Sequence, residues 1–125
     1  MKLDALLCPC GDGLAFEACC YSIISGKEKA RTAEQLMRSR YSAYVKEDVD
    51  YLVSTTHPDS RSPELAESIA AWMKQVQWVR LHILKTQRDR IGFMAEYIAG
   101  GKLAQYHEES VFKKYKGEWF YFGEE

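Results

Sequence analysis

All four cysteines of the chain fall between positions 8 and 20, and no other region contains one. Thiolate sulfurs grouped around one point form the closed tetrahedral site in which proteins hold structural Zn²⁺. Gly11 and Gly13 let the chain turn tightly after the first pair, and residues 14–18 can form a helical turn that returns the second pair. The spacing therefore predicts Zn²⁺ as a cofactor. The cysteines are Cys8, Cys10, Cys19 and Cys20.

Two other interpretations of the cysteines stay open. A Cys-x-Cys pair can act as a redox dithiol when the pKa of one thiol is lowered. Four cysteines can also form two disulfides in an exported protein. Residues 1–7 argue against export, because their apolar run is too short for a signal peptide and contains Asp4. We therefore expect a cytoplasmic protein, in which clustered cysteines favour a metal site.

The cysteine segment also has a family resemblance. Cys-Pro-Cys-Gly-Asp-Gly, followed by Phe16 and then by Cys-Cys, resembles the SEC-C motif. This small zinc-binding module is named for the C-terminus of the SecA translocase motor and occurs in many bacterial proteins. Its usual form has serine where this chain has Asp12, and either side chain can accept backbone hydrogen bonds in a turn. The resemblance implies that Cys8, Cys10, Cys19 and Cys20 are the zinc ligands.

The composition fits one compact domain with an N-terminal appendage. The chain has 125 residues, of which 46% are hydrophobic and 13% aromatic, which is enough for a core. With a net charge of −1, the chain lacks the excess of positive charge that usually accompanies binding to nucleic acid or to an anionic membrane. No apolar run reaches the roughly 18 residues of a spanning helix. We therefore expect neither nucleic acid nor a membrane span.

Helical periodicity marks the first part of the body. Thr32 and Gln35 have the spacing of a capping box, in which each side chain satisfies a free amide of the first turn. Apolar residues at helical spacing follow Thr32, and Asp48 is placed to cap a second, short helix. A polar connector from Ser22 to Arg31 precedes them. The predicted helices cover about residues 32–46, 48–53 and 64–74.

The period of the apolar pattern changes from 3.6 to 2 after residue 76, which indicates strands. Four alternating runs follow, and they begin at Val76, Ile91, Leu103 and Glu118. The last two meet across Lys116-Gly117, where glycine suits the positive φ of a hairpin turn. Three helices followed by four strands predict an α+β fold in which a curved antiparallel sheet covers the helices.

Several segments resemble the YchJ family: residues 32–44, Thr-His-Pro at 56–58, His-Glu-Glu-Ser-Val-Phe at 107–112 and Trp-Phe-Tyr at 119–121. This family joins a SEC-C motif to a nuclear transport factor 2-like (NTF2-like) cone. The resemblance implies a SEC-C zinc-binding motif at residues 1–24 and an NTF2-like domain at residues 25–125. Some members carry a second SEC-C motif after the cone, which this sequence does not show.

A cone often opens between its sheet and its helices, and such an opening is a natural ligand or active site. His107 and Glu109 share a strand face and could form an acid–base pair. Glu96 interrupts an apolar strand, where a charge needs a partner such as Arg38 or His107. The alternative is that these side chains face solvent. The candidate catalytic residues are His107, Glu109 and Glu96, and the candidate ligand-binding residues are Arg38, Arg40, His82, Glu96 and His107.

Two functions are consistent with these features. The first is a zinc-binding module that contacts a protein partner through the knuckle or binds a ligand, since a closed four-thiolate site has no open position for catalysis. The second is a small enzyme that uses the acid–base candidates inside the cone. The sequence shows no Ser-His-Asp order, phosphate loop or second metal cluster, which favours the binding module. A homodimer through exposed sheet is a further expectation.

Overall fold

The computed structural model describes residues 7–124, which form a cysteine-rich knuckle (residues 7–24) followed by a cone of helices and strands. The cone has three helices and then four strands, so the predicted α+β fold is confirmed. In chain order the elements are a 3₁₀ turn at Phe16–Ala18, α1 (Cys20–Ile24), α2 (Ala33–Val45), α3 (Val49–Ser54), a 3₁₀ turn at Pro58–Ser60, α4 (Leu65–Gln75), β1 (Gln77–Thr86), β2 (Arg90–Ala99), β3 (Lys102–Tyr115) and β4 (Glu118–Glu124).

Helix α2 begins where the sequence predicts. The Thr32 side chain accepts a hydrogen bond from Gln35 N at 3.0 Å, which satisfies a free amide of the first turn. In a capping box the Gln35 side chain would accept a hydrogen bond from Thr32 N. Here Gln35 Oε1 accepts from Arg31 N instead, at 2.7 Å. Helix α3 is capped in the same way, because Asp48 Oδ1 accepts from Tyr51 N at 3.0 Å. Both helices therefore start at defined residues.

Helix α1 lies where the sequence predicts the start of a polar connector. Its Ser22 is buried and donates a hydrogen bond to Glu28. Its Ile24 packs against the cysteine cluster and also against the apolar cluster around Leu52. Tertiary packing stabilises this five-residue helix, and local sequence periodicity does not reveal such packing.

The four strands form one antiparallel sheet in the order β1-β2-β3-β4. Phe93 pairs with Glu108, and Met94 pairs with His107. Successive side chains point to opposite faces of a sheet, so the first pair lies on one face and the second pair on the other. The β3–β4 hairpin turns at Lys116–Gly117 with φ values of 51° and 81°, as a two-residue turn of type I′ requires.

The main core lies between α2 and the inner face of the sheet. Ile91 and Phe112 are 0% and 1% exposed there. Helix α2 contributes Ala33, Leu36, Met37 and Tyr41 to this core. A second core forms around Leu52 and joins α2, α3 and α4. Within residues 7–124, no helix has both the length and the apolar character needed to cross a membrane.

Candidate metal centre and cone cavity

The structure brings the four cysteine side chains of the knuckle together. Their Sγ atoms all lie within 4.8 Å of one another, and all four are free thiols. The distance is 3.6 Å from Cys10 to Cys19 and 3.9 Å from Cys19 to Cys20. Sulfurs about 2.3 Å from a central Zn²⁺ would lie about 3.8 Å apart in a tetrahedron. The residues therefore fit a tetrahedral four-sulfur metal site.

A tight turn positions the first cysteine pair. Gly11 and Gly13 both have a φ of 85°, a left-handed conformation that glycine adopts without steric cost. Cys8 N donates a hydrogen bond to Leu14 O at 2.8 Å. Asp12 Oδ1 accepts one from Leu14 N at 2.9 Å, which is the turn bond expected of either serine or aspartate at this position.

The four thiols change one another's ionisation. Hydrogen bonds from Cys10 and Cys20 lower the pKa of Cys8, whereas hydrogen bonding to Cys10 raises the pKa of Cys20. Burial, followed by the hydrogen bond to Asp12, raises the pKa of Cys19. The cluster by itself therefore favours the thiolate form at Cys8. A divalent cation would favour the deprotonated form of all four, because metal binding releases thiol protons.

Helix α2 contacts the cysteine cluster directly. Arg38 Nη1 donates to Cys10 O at 2.7 Å, and Arg38 Nε donates to Glu34 Oε2 at 2.9 Å. Ser42, one turn further along the same helix face, places its Oγ 3.4 Å from Cys8 Sγ. Arg38 therefore supports the knuckle, and the expectation that it is a ligand-binding residue of the cone is wrong.

The second candidate site is a cavity of about 440 Å³ between α2 and the inner face of the sheet. This volume is in the range of small-molecule binding sites. Residues 37, 40, 41 and 44 of α2 line it, and this spacing places them on one face of the helix. The sheet contributes Trp78, Phe93, Ala95, Tyr106, Glu108, Ser110, Tyr121 and Glu124, and α4 contributes Trp72.

Arg40 is buried beside this cavity, with 7% of its surface exposed. Its Nη1 donates to Leu52 O at 2.9 Å, Thr55 Oγ1 at 2.7 Å and Thr56 Oγ1 at 3.4 Å. The guanidinium carbon lies 4.5 Å from the centre of the Tyr121 ring. Burial lowers the pKa of Arg40, but a guanidinium remains charged in proteins. Arg40 is thus a cation at the cavity wall.

Glu108 supplies a carboxylate to the same cavity. Its Oε1 accepts a hydrogen bond from the Tyr106 hydroxyl at 2.5 Å. Its Oε2 accepts from the Tyr121 hydroxyl at 3.0 Å and from Ser110 Oγ. Burial, and then the neighbouring Glu108 carboxylate, raise the pKa of Tyr106 and Tyr121. Both phenols therefore stay protonated and act as donors to Glu108.

The predicted acid–base residues do not face the cavity. His107 and Glu109 alternate along β3 with Tyr106 and Glu108, which line it. Glu96 pairs with Gln105 in the sheet and lies on the same outer face. The placement of His107, Glu109 and Glu96 inside the cone is therefore wrong. The reason is that both faces of β3 carry polar residues, so composition did not reveal which face is buried.

Glu96 has a different partner from the one the sequence suggested. Its Oε1 lies 2.7 Å from His82 Nε2 across the outer face of β1 and β2. The side chains are 22% and 36% exposed, so solvent screens the pair. Neither Arg38 nor His107 neutralises Glu96. Of the five candidate ligand-binding residues, Arg40 alone lines the cavity.

Sequence reasoning did not select several residues of the cavity wall. A signal for the sheet residues was available in the β3–β4 hairpin, whose register places Phe112 opposite Tyr121. Two facing aromatic residues indicate the buried face, and alternation from Phe112 then assigns Ser110 and Glu108 to it. The residues missed are Tyr44, Trp72, Trp78, Tyr106, Glu108, Ser110 and Tyr121.

Trp78 lies in a group of aromatic rings at the cavity. Its ring centre is 5.7 to 6.0 Å from those of Tyr41, Tyr44, Trp72 and Tyr97. The indole Nε1 is buried, without a hydrogen-bond partner among the described residues. Ring faces can accept weak N–H···π contacts, so the surrounding rings are the acceptors available to this N–H.

The fold and the four-sulfur cluster define a SEC-C motif protein with an NTF2-like cone. The family profile described as "YchJ, middle NTF2-like domain" matches residues 32–123. The UPF0225 protein YchJ of Shigella dysenteriae is 38% identical over 121 residues, covering 92% of this chain and 80% of that protein. A UPF0225 protein of Geobacter sulfurreducens is 38% identical over 122 residues, covering 92% and 76%. The chain belongs to the YchJ family.

Two solved structures have the same fold over most of this chain. The solution structure of a SEC-C motif containing protein from Rhodopseudomonas palustris matches with a TM-score of 0.82 and 32% identity, covering 94% of this chain and 96% of that one. The crystal structure of a SEC-C motif containing protein from Psychrobacter arcticus matches with a TM-score of 0.75 and 29% identity, covering 92% and 79%. The similarity includes the knuckle as well as the cone.

Proposed function

We propose that this protein binds a small molecule inside the cone and uses one zinc ion to hold the knuckle against the cone. The observation that carries this proposal is Arg40, a buried cation beside a cavity of about 440 Å³. No ion pair between described residues includes Arg40. Burying an unpaired charge is costly, and such groups are concentrated at functional sites, where a ligand supplies the counter-charge.

Zinc is the metal that best suits the knuckle. Four cysteine sulfurs close the coordination sphere and leave no position for a substrate, which is typical of a structural site. Arg38 and Ser42 link the cysteine backbone and sulfurs to α2. Arg40 extends from the same helix into the cavity wall. Metal binding at the knuckle would therefore support the helix that carries the cavity's cation.

Binding fits the cavity better than catalysis does. Glu108 already accepts three hydroxyl hydrogen bonds, so it has little free capacity to take a proton from a substrate. None of the three histidines, all of which the structure describes, lines the cavity. The other carboxylate of the described wall, Glu124, is exposed at the end of β4, so the interior of the cavity offers no general base with a free acceptor position.

A second function, docking to a protein partner through the knuckle, is favoured by its surface. Leu7, Leu14 and Tyr21 are large apolar side chains there, with 41%, 53% and 48% of their surfaces exposed. Exposed apolar side chains grouped on a small module are typical of contact surfaces. Since four free thiols need a reducing compartment, we place both functions in the cytoplasm.

A cavity-filling variant tests small-molecule binding. Ala95→Leu adds three carbon atoms inside the cavity, whereas Ala104→Leu adds the same atoms on β3 outside its wall. Zinc-loaded wild type and both variants are incubated with a bacterial small-molecule extract and desalted, and bound compounds are identified by mass spectrometry. We expect compounds retained by wild type and Ala104→Leu to be lost from Ala95→Leu. The same retention by all three proteins, or none by wild type, contradicts the proposal.

A further inference from the structure

We propose that the cone cavity selects a small aromatic monocarboxylate, with the carboxylate at Arg40 and the ring among the aromatic side chains of the wall. This ligand class rests on the small-molecule binding proposed above. It is indicated by the hydrogen-bonding groups of the wall, some of which are engaged within the protein while others remain free for a ligand.

Arg40 offers most of the free donors. A guanidinium has five N–H donors on three nitrogens. In Arg40, all three hydrogen bonds to other described residues come from Nη1. Neither Nε nor Nη2 takes part in these bonds. Because Arg40 lines the cavity, these two nitrogens can donate to a planar carboxylate as a fork.

Two phenols stand beside Arg40 on the same helix face. Tyr41 and Tyr44 line the cavity together with Arg40. Burial raises the pKa of Tyr41 to about 12 and also raises the pKa of Tyr44. Both hydroxyls are therefore protonated at neutral pH and can donate to a ligand. The free groups of α2 thus favour a ligand that accepts hydrogen bonds.

Of the two carboxylates of the described wall, Glu108 is occupied by hydroxyl donors and Glu124 is exposed at the end of β4. Glu108 receives hydrogen bonds from two phenols and Ser110, so an ammonium ligand would find little free capacity there. An ammonium group would also be repelled by Arg40. A phosphate dianion would carry one negative charge more than Arg40 balances, beside Glu108 and Glu124 of the same wall. A monoanionic carboxylate fits the planar donor fork of Arg40 and adds less negative charge beside these two carboxylates than a phosphate does.

The remainder of the wall favours a flat apolar ring. Trp72, Trp78, Phe93 and Tyr106 line the cavity, and the Trp72 ring centre lies 6.4 Å from that of Tyr106. Aromatic rings prefer edge-to-face and offset contacts with other rings at such distances. A volume of about 440 Å³ has room for an acid with one or two rings. The wall therefore combines one anion-binding end with an aromatic enclosure.

Three matched naphthalene probes test the charge preference on the zinc-loaded full chain. They are 2-naphthylacetate, its neutral amide 2-naphthylacetamide and the cationic 2-(2-naphthyl)ethylamine. The measurement is the shift of the indole ¹H–¹⁵N signals on titration. Trp72 and Trp78 line the cavity, whereas Trp119 donates to Arg31 O outside it and serves as an internal reference. We expect the acid to move the Trp72 and Trp78 signals and to bind about tenfold tighter than either analogue.

Variants of α2 assign the preference to Arg40. Arg40→Gln should bind the acid no more tightly than the amide, whereas Arg80→Gln, at an exposed residue of β1 outside the cavity wall, should keep the wild-type preference. Because Arg40→Gln also removes contacts to α3, Tyr44→Phe provides a milder test. It should weaken binding of the acid about threefold to tenfold and leave binding of the amide unchanged.

The possible results separate the two proposals. If the amide or the amine moves the Trp72 and Trp78 signals and binds as tightly as the acid, the ligand class is wrong and small-molecule binding still stands. If the acid preference survives in Arg40→Gln, the assignment to Arg40 is wrong. If no probe moves either signal at millimolar concentration, both the ligand class and the binding function are overturned.

Discussion

Arg38 and Arg40 lie two positions apart on α2 and extend to opposite sides of the helix. Arg38 Nη1 donates to Cys10 O in the knuckle at 2.7 Å, whereas Arg40 Nη1 donates to Leu52 O at 2.9 Å and lines the cone cavity. Two residues correspond to about 200° of helical rotation, which explains the divergence. Helix α2 therefore forms a shared wall between the cysteine cluster and the cavity.

Arg38→Gln should weaken metal retention. The substitution removes both a cationic donor to the Cys10 carbonyl and a positive charge beside a thiolate cluster. Loss of such an outer contact typically lowers metal affinity about 10-fold to 100-fold. Zinc transfer to a chromophoric chelator measures the effect, with Arg40→Lys as a control on the other side of the helix. Equal transfer from wild type and Arg38→Gln would show that Arg38 does not support the site.

Zinc removal should loosen the knuckle and leave the cone folded. The two apolar cores of the cone contain no cysteine, whereas a bound metal would supply most of the cohesion of the small cluster of Cys8, Cys10 and Cys20. We expect chelation to broaden or shift amide signals before about residue 22 while the signals of β1–β4 persist. A cooperative loss of the far-ultraviolet circular dichroism signal would instead make zinc integral to the whole fold.

Two carboxylates on opposite faces of the sheet should differ in their effect on stability. Glu108→Ala leaves three inward hydroxyls without their acceptor, and we expect it to reduce the free energy of unfolding by about 1–3 kcal/mol. Glu96→Ala breaks a partly exposed pair with His82 and should cost at most about 1 kcal/mol. Urea unfolding of the zinc-loaded variants measures both values. A larger loss in Glu96→Ala would reverse the assignment of the faces.

The free energy of unfolding should fall steeply as the pH rises above about 10. Burial raises the pKa of Tyr41 to about 12, above the value of about 10 for an exposed tyrosine. Between these values the unfolded chain has lost a proton that the folded chain retains, so the free energy of unfolding decreases as pH rises. The raised pKa values of Tyr44, Tyr51, Tyr106 and Tyr121 act in the same direction.

Tyr41→Phe isolates one contribution to this pH dependence. Urea unfolding at pH 8 to about 11 should give a shallower decline for Tyr41→Phe than for wild type. Tyr115→Phe, at a residue with 39% of its surface exposed, is the matched control and should follow wild type. Parallel curves for all three proteins would mean that ionisation of Tyr41 is not coupled to folding.

Much of the fold could be predicted because its signals are local. Thr32 and Asp48 cap helices where the sequence predicts, and the turn at Lys116–Gly117 has the required positive φ. The cysteine cluster was equally evident, because four sulfurs occur in one short segment. Each of these features depends on residues close together in the chain, so spacing alone was sufficient.

The functional face of the sheet was harder to predict because it depends on long-range packing. The inward residues Glu108 and Ser110 are as polar as the outward residues His107 and Glu109, so hydrophobic alternation does not distinguish them. The two arginines of α2 present the same difficulty, since which one reaches the cavity depends on where the knuckle packs. The sequence does not show that a charged side chain is buried when the hydroxyls or carbonyls that bind it come from other segments of the chain.

A structure of the zinc-loaded protein with 2-naphthylacetate tests the central claim most directly. We predict that the carboxylate lies within hydrogen-bonding distance of Arg40 Nε or Nη2 and that the naphthalene ring lies between α2 and the inner face of the sheet. The same structure should contain one Zn²⁺ bound by Cys8, Cys10, Cys19 and Cys20. An empty cavity at saturating probe, or a probe bound on the outer face near His82, would contradict the account.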